Sequence, residues 1–190
     1  MLDIFDILGP VMVGPSSSHT AGAVRIGRMA RTLLGAEVAR ADIGLHGSFA
    51  DTGRGHGTDR ALVAGLLGMK PDDLGIPQSF EIAANQGLEF HFHTARLRDA
   101  HPNTAVLTVE SADGRKLELQ AGSTGGGRIR VDRVDGVEGS FSGIFNTLVV
   151  RHQDVAGELS RILNELSVSG VNIANMSLNR DRRGGAALTV

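Results

Sequence analysis

In the first third of the chain, the spacing of the apolar residues changes from that of a helix to that of a strand and then back to that of a helix. Residues 19–34 carry their larger apolar side chains near one helical face, which predicts a helix that Gly35 ends as a C-cap. A strand is predicted over 38–45, and a glycine-rich loop is predicted over 47–57. A second helix is predicted from 58 through 68. The order helix, strand, loop, helix indicates a mixed α/β unit.

The middle of the chain alternates apolar and polar residues with a period of two, as half-buried strands do. Turn sequences separate these segments, at Asp113-Gly114 and within the glycine-rich run 122–127. The pattern therefore predicts a largely antiparallel sheet. Its strands are predicted at 88–97, 104–109, 116–120 and 128–134.

A segment rich in glycine and serine, 135–142, predicts a domain boundary. Beyond it, the order strand, helix, strand, strand opens a split βαββαβ unit of the ferredoxin-like kind that lacks its second helix and fourth strand. We therefore expect an α+β protein with a mixed α/β domain at 1–138 and a partial ferredoxin-like domain at 143–190. We also expect the natural chain to continue past Val190 by about 20–30 residues. The second domain is predicted to contain strands at 144–150, 171–178 and 186–190 and a helix at 155–167.

The composition narrows the classes of function. The formal net charge is -2 and the chain has no Trp or Tyr, so neither electrostatic attraction nor aromatic stacking favours a nucleic-acid partner. The apolar runs fall well short of the roughly 20 residues that span a bilayer, and no basic leader opens the sequence, so we expect a cytoplasmic protein with no membrane partner. Because the chain has no cysteine, it cannot by itself hold a zinc-thiolate site or a thiolate-bound iron-sulfur cluster.

The densest polar cluster, 14–20, stands directly before the start of the first helix. Hydroxyls and free backbone N–H groups at a helix start can bind a carboxylate or a phosphate, and His19 adds a group that can transfer protons. The alternative is a serine N-cap followed by a histidine with no functional role. The run of specific residue types favours binding or catalysis. The candidates are Ser16, Ser17, Ser18, His19 and Thr20.

A second cluster, 46–60, also leads from a strand into a helix. Its glycines allow the backbone to approach a ligand or another chain closely. Capping of the helix by Gly57 or Thr58 explains the pattern about as well as ligand binding does. His56, Thr58 and Asp59 are therefore secondary candidates for substrate binding.

Two further patterns are weaker. The run 122–127 could form an anion-binding nest, but a bulged hairpin turn is favoured. His91 and His93 share one face of a predicted strand, as a metal-binding pair would, but no third ligand is evident and a solvated strand face is favoured. We therefore predict no metal site in this chain.

The motifs, taken in order, resemble the bacterial iron-sulfur-dependent L-serine dehydratases. They are DIFDILGP at 3–10, GPSSSHT at 14–20, GSF at 47–49, TGRGHGTDRA at 52–61 and HPNT at 101–104. The resemblance continues into the C-terminal part and covers nearly the whole chain. In that family, a beta part with an allosteric-substrate-binding domain, often followed by an ACT domain, accompanies an alpha part whose cysteines hold a [4Fe-4S] cluster. The resemblance therefore implies a beta subunit of the two-chain type.

This resemblance also implies different catalytic roles for the two subunits. The [4Fe-4S] cluster of the alpha subunit would act as the Lewis acid that expels the β-hydroxyl of L-serine, and the resulting aminoacrylate would give pyruvate and ammonia. The cysteine-free chain would contribute groups that face this cluster and hold the substrate carboxylate, for which 16–20 are the candidates. No activity is expected without the cysteine-bearing partner.

The C-terminal part is similar to ACT domains, which commonly bind an amino acid at the turn from the first strand into the helix, at an interface with a second copy. Residues 152–157 resemble that turn, with Ala156 where proline is usual. The resemblance implies L-serine as effector and homodimerisation through this domain. The alternative is that the aspartate only caps the helix and the asparagines are turn or edge residues. The candidate effector contacts are His152, Asp154, Gly157, Asn172 and Asn175.

Three other functions are open at this point. A stand-alone amino-acid-binding regulator would use only the C-terminal domain and would leave 14–20 unexplained. A hydrolase would use Ser17 or Ser18 as nucleophile and His19 as base, but adjacent residues rarely reach attack geometry and no G-x-S-x-G pattern surrounds them. A pure assembly subunit would need neither site.

Overall fold

The structure, a computed structural model, describes residues 11–190, so the motif at 3–10 lies outside it. A six-stranded sheet with helices is followed by a three-stranded sheet with one helix. The helices are a π-helical turn Ser17–Gly22 that continues as α1 Ala23–Leu34, then α2 Ser48–His56, α3 Thr58–Leu66, a 3-10 turn Ile76–Gln78, α4 Ser79–Gln86 and α5 Glu158–Val168. The strands are β1 Val38–Leu45, β2 Glu89–Thr94, β3 Thr104–Ser111, β4 Lys116–Gly125, β5 Arg128–Val134, β6 Val137–Phe141, β7 Val150–Gln153, β8 Leu178–Arg180 and β9 Ala186–Thr189.

The six-stranded sheet, in the order β2-β1-β3-β4-β5-β6, is antiparallel except for the pair β1 and β2. A parallel pair needs a crossover connection, and α2, α3 and α4 provide it. Side chains alternate between the two faces of β1, where Ala41 and Ile43 are buried in the core and Arg40 and Asp42 are exposed. The helices therefore cover one face of the sheet and leave the other face to solvent.

Helices α1 and α3 pack against each other through two glycines. A Cβ atom built on Gly65 would lie 2.1 Å from the carbonyl oxygen of Val24, and one built on Gly27 would lie 2.3 Å from that of Leu62. The two backbones are therefore closer than any side chain at these positions would allow. This contact holds the first turns of α1 against α3.

The C-terminal sheet has the order β7-β9-β8, so the two strands joined through α5 flank β9. Leu188 on β9 is fully buried and lies over Gly139 of β6, where a Cβ atom would come within 3.1 Å of its Cδ2. This sheet therefore packs on the first one. No residue of α5 is fully buried, and its apolar residues Leu159, Ile162, Leu163 and Leu166 are half-buried.

The α+β fold is confirmed, and so are the largely antiparallel sheet and the hairpin at 122–127, whose turn is Gly126-Gly127. The prediction of a loop over 47–57 is wrong, because most of it forms α2. Phe49 is fully buried there, and its packing outweighs the low helix propensity of the glycines. The helix α4 was not predicted.

The predicted strands of the C-terminal part are too long. The strand expected over 144–150 begins only at Val150, and the one expected over 171–178 begins only at Leu178. A run of apolar residues indicates that a segment tends to be buried, but it does not show that a partner strand pairs with it. Both errors have this cause. The presumed boundary 135–142 contains β6. The division into two domains stays a prediction.

Candidate active site

The two polar clusters of the N-terminal part meet at the start of α1. The Nε2 atom of the His19 ring lies 3.1 Å from the hydroxyl oxygen of Ser48, which is the first residue of α2. The Thr20 hydroxyl donates a hydrogen bond to the carbonyl oxygen of His56, the last residue of α2, over 3.3 Å. The clusters 14–20 and 46–60 therefore form one structural unit.

Two more segments join this unit. The HPNT segment packs against the start of α2, where a Cβ atom on Gly47 would lie 2.7 Å from the carbonyl oxygen of Pro102. The backbone N–H of Ser123 on β4 donates to the carbonyl oxygen of Asn103 over 2.9 Å. The Ser123 side chain in turn lies against Gly22, whose Cβ would come within 2.1 Å of its hydroxyl oxygen. Four segments that are distant in the sequence thus converge at the beginning of α1.

The start of the helix has an unusual local conformation. The hydroxyl of Ser16 accepts a hydrogen bond from the backbone N–H of His19 over 3.1 Å, so Ser16 is the N-cap, as the alternative interpretation of this cluster expected. The turn Ser17–Gly22 that follows is π-helical, a form that occurs frequently at functional sites. Gly14 has a φ of +128°, and a Cβ there would lie 2.5 Å from Cγ2 of Thr20, so glycine is required before the cap.

The hydrogen bonds around the His19 ring fix its tautomer. Nε2 lies 3.1 Å from the hydroxyl oxygen of Thr52 as well as 3.1 Å from that of Ser48. The Thr52 hydroxyl donates its proton to the carbonyl oxygen of Ser48 over 2.7 Å, so toward His19 it can only accept. The neutral ring therefore carries its proton on Nε2. Nδ1 is left as the basic nitrogen, 3.5 Å from the hydroxyl oxygen of Ser16.

The surroundings of His19 keep the ring neutral. Partial burial lowers the pKa of His19 below its ordinary value of 6.5, and the charge of His56 lowers it further. The ring centroids of the two histidines are 5.0 Å apart, and Phe49 packs edge-on at 5.4 Å. A hydrogen bond with Ser48 raises the pKa but does not reverse the shift. A neutral imidazole with one unprotonated nitrogen is what a general base requires.

The secondary candidates lie at the junction of α2 and α3. His56 is exposed and faces the His19 ring, which supports its selection. The Asp59 carboxylate accepts a hydrogen bond from the backbone N–H of Arg60 over 2.8 Å. Gly57 is the N-cap of α3, so the side chain of Thr58 does not cap this helix.

Two buried hydroxyls belong to the converging segments. The hydroxyl oxygens of Thr58 and Ser123 are buried and have no hydrogen-bond partner in the part of the chain that the structure describes. Leaving such a group unsatisfied costs about 1–3 kcal/mol, and natural proteins keep few of them. Their presence in two of the four converging segments supports a functional role for this region.

Two contact residues of the site were not among the candidates. Ser48 and Thr52 stand four residues apart and face the same way only because the segment is helical, whereas the sequence suggested a loop. Their identification also bears on the hydrolase alternative. The ring nitrogens of His19 contact these hydroxyls and Ser16, not Ser17 or Ser18, so the proposed adjacent Ser/His pair is not formed.

In the C-terminal unit, Asp154 links the end of β7 to the turn between β8 and β9. Its Oδ2 atom accepts from the Arg180 guanidinium over 2.7 Å and from the backbone N–H of Gly184 over 3.2 Å. These hydrogen bonds, that of Arg180 first, hold the pKa of Asp154 below its usual range. Because Gly157 is the N-cap of α5, the alternative that Asp154 only caps this helix is wrong.

The remaining effector candidates lie on both sides of α5. Nε2 of His152 lies 2.9 Å from the hydroxyl oxygen of Thr189, which ties β7 to β9. Asn172 and Asn175 are exposed in the segment between α5 and β8, not on the strand where they were predicted. Their role as effector contacts stays a prediction.

Comparison with known proteins identifies the family of this chain. The sequence profile of the family described as serine dehydratase beta chain matches residues 1–85. The probable L-serine dehydratase, beta chain, of Bacillus subtilis is 42% identical over 185 residues, which cover 97% of this chain and 84% of that protein. This chain belongs to the serine dehydratase beta chain family.

Other relatives extend the match. The L-serine dehydratase, beta chain, of Peptoniphilus asaccharolyticus is 38% identical to this beta chain over 179 residues, which cover 94% of it and 81% of the relative. The L-serine dehydratase of Streptomyces coelicolor is 30% identical over 206 residues, which cover 95% of this chain but only 45% of that protein. Among residues 11–190, none of the helices has the length and apolar character needed to cross a membrane.

Proposed function

We propose that this beta chain is one part of an L-serine dehydratase and that it acts with a separate alpha subunit to convert L-serine into pyruvate and ammonia. The observation that carries the proposal is the contact of the two polar clusters, 14–20 and 46–60, at the His19 ring, whose neutral form is held in one tautomer. The relatives of B. subtilis and P. asaccharolyticus are both named as beta chains of that enzyme, which supports the choice of substrate.

His19 is the proposed general base. Its Nδ1 atom takes the proton from the α-carbon of the substrate, while Ser48 and Thr52 hold the opposite side of the ring. Ser17 and Ser18 are only half-buried at the start of a helix, so their hydroxyls and backbone N–H groups are suited to binding the substrate carboxylate.

Ser16 and Thr20 are proposed as positioning residues. Ser16 caps the helix through the backbone N–H of His19, and Thr20 connects the helix start to the end of α2. Loss of either contact would shift the ring without removing a reacting group. His56, Thr58 and Asp59 are assigned to substrate binding in second place.

Release of the substrate β-hydroxyl needs an electrophile. The chain has no cysteine, so its residues do not fit a thiolate-bound cluster. We therefore place a [4Fe-4S] cluster on the alpha subunit, outside this chain.

We further propose that 143–190 is an ACT domain that binds L-serine as an effector and dimerises. Two strands joined through a helix that flank a third strand are typical of the split β-α-β arrangement. The apolar residues of α5, none of which is fully buried, support an interface with a second copy. The proposed effector contacts are His152, Asp154, Gly157, Asn172 and Asn175.

The proposed activity is tested by measuring pyruvate formation from L-serine. The chain alone should be inactive, and the complex with its alpha subunit, assembled anaerobically, should be active. Replacing Ser16, Ser17, Ser18 and His19 together by alanine should abolish activity while the complex still forms on size-exclusion chromatography. Lys116→Gln, an exposed change on β4, should keep wild-type activity. Activity of the chain alone, or full activity of the fourfold variant, would contradict the proposal.

The effector site is tested separately by calorimetry of the full chain with L-serine. The double variant Asn172→Ala/Asn175→Ala should lose the heat of binding, whereas His19→Ala should keep it. The opposite pattern would place the bound serine at the active site instead.

A further inference from the structure

Two histidines and an aspartate meet on the face of the six-stranded sheet that the helices leave open. Asp42 on β1 is paired in register with His91 on β2, and His93 follows two residues later beside Gly44. Nδ1 of His91 lies 3.0 Å from Oδ1 of Asp42, and Nδ1 of His93 lies 3.3 Å from Oδ2. Each carboxylate oxygen therefore contacts one imidazole ring.

The spacing of these three side chains suits a transition-metal ion. One ligand atom from each residue can be chosen so that all three lie within 4.8 Å of one another. Zinc binds histidine nitrogen and carboxylate oxygen at about 2.0–2.2 Å, which separates neighbouring tetrahedral ligands by about 3.3 Å. The two observed contacts of 3.0 and 3.3 Å are close to that separation. The planes of the two rings are nearly parallel, at 17° to each other, with their centroids 6.1 Å apart.

Gly44 provides the space for this arrangement. A Cβ atom at this position would lie 2.9 Å from Nε2 of His93 and 3.0 Å from Cβ of Ala95, so any other residue would displace the ring. The three ligand side chains keep 44–74% of their surface exposed. An ion can therefore reach them without any opening of the fold, and positions remain for water.

We propose that Asp42, His91 and His93 bind one divalent transition-metal ion of the zinc type. Imidazole is a preferred ligand for such ions, whereas magnesium and calcium prefer sites built from oxygen alone. Among residues 11–190, β2 pairs only with β1, at one edge of the sheet. A metal held by both strands therefore fastens this edge.

The sequence favoured a solvated strand face for the histidine pair, and both His91 and His93 are indeed exposed to solvent. The expectation of no metal site depended on the lack of a third ligand. Asp42 is 49 residues away from His91 in the sequence, and only the parallel pairing of β1 and β2 brings it into place.

The experiment is isothermal titration calorimetry of the tag-free full chain with Zn²⁺, and with Mg²⁺ for comparison. One Zn²⁺ should bind per chain, and Mg²⁺ should not bind. Asp42→Asn should weaken Zn²⁺ affinity by about tenfold or more, since even groups that only support metal ligands account for about 10–100-fold. The double variant His91→Ala/His93→Ala should abolish binding and also the rise in unfolding temperature that Zn²⁺ gives the wild type.

Two variants serve as controls. Glu89→Gln removes a carboxylate from the same face of the same strand, and His56→Ala removes the histidine next to His19; both should keep wild-type affinity for Zn²⁺. Circular dichroism establishes that each variant is folded. The proposal is overturned if the chain binds no Zn²⁺, if the double variant binds it as the wild type does, or if His56→Ala removes binding.

Discussion

Replacing Gly65 with alanine tests the close packing of α1 and α3 behind the candidate active site. In an exposed helix, this change stabilises by about 1 kcal/mol, because glycine is the poorer helix former. Here the new Cβ atom would lie 2.1 Å from the carbonyl oxygen of Val24 and 2.9 Å from Cα of Gly27, whereas ordinary contacts begin at 3.4 Å. The clashing atoms belong to the backbone, so the two helices must move apart.

The expected loss follows from these two opposing effects. Overpacking a core costs about 1–3 kcal/mol, and a clash with rigid backbone belongs at the upper end of that range. The higher helix propensity of alanine offsets about 1 kcal/mol of this cost, so the net loss in the free energy of unfolding should be about 2 kcal/mol. For a protein of this size, the unfolding temperature should fall by about 4–8 °C.

The measurement is urea unfolding followed by circular dichroism, with Gly55→Ala as the matched control. Gly55 is also helical, but nothing lies within 4 Å of a Cβ atom built there. This control should gain up to about 1 kcal/mol from helix propensity alone. Equal stabilisation of both variants would refute the close helix crossing.

Three further predictions concern the site and the C-terminal unit. The His19 ring should titrate by NMR with a midpoint below pH 6.5, and a midpoint of 6.5 or above would contradict a lowered pKa. Since folding lowers this pKa, the free energy of unfolding should fall as the pH drops through 6.5 toward the pKa of the folded state. Gly22→Ala should lose about 1–3 kcal/mol in urea unfolding, and adding Ser123→Gly should recover part of it; independent, additive losses would argue against their contact. Asp154→Asn should speed hydrogen exchange at the Gly184 amide, and unchanged protection would show that the side chain does not hold that turn.

The sequence was most informative where burial on one face decides the structure. The strand character of 38–45 predicted β1 correctly, where Ala41 and Ile43 are buried, and alternation located β3 to β5. The sequence did not predict the strand β6 within 135–142, where glycine and serine suggested a domain boundary. Gly139 is instead part of a strand and leaves room for Leu188 of the second sheet, a role of glycine that the sequence does not distinguish from a turn.

The candidate site was predicted only in part, for a related reason. His19 stood out because a dense polar cluster preceded a helix. Its partners Ser48 and Thr52 were not identified, since they line up only when the glycine-rich segment is helical. Asp42 was missed because its contact with His91 depends on strand pairing between distant segments.

The most direct test of the central claim is the turnover of L-serine by the assembled complex that contains His19→Gln. Glutamine keeps much of the size and polarity of histidine but cannot take a proton from the substrate. The proposed role predicts a fall in kcat of about 10²–10⁴-fold, with the complex intact on size-exclusion chromatography. A kcat equal to that of the wild-type complex would contradict the assignment of His19 as the base.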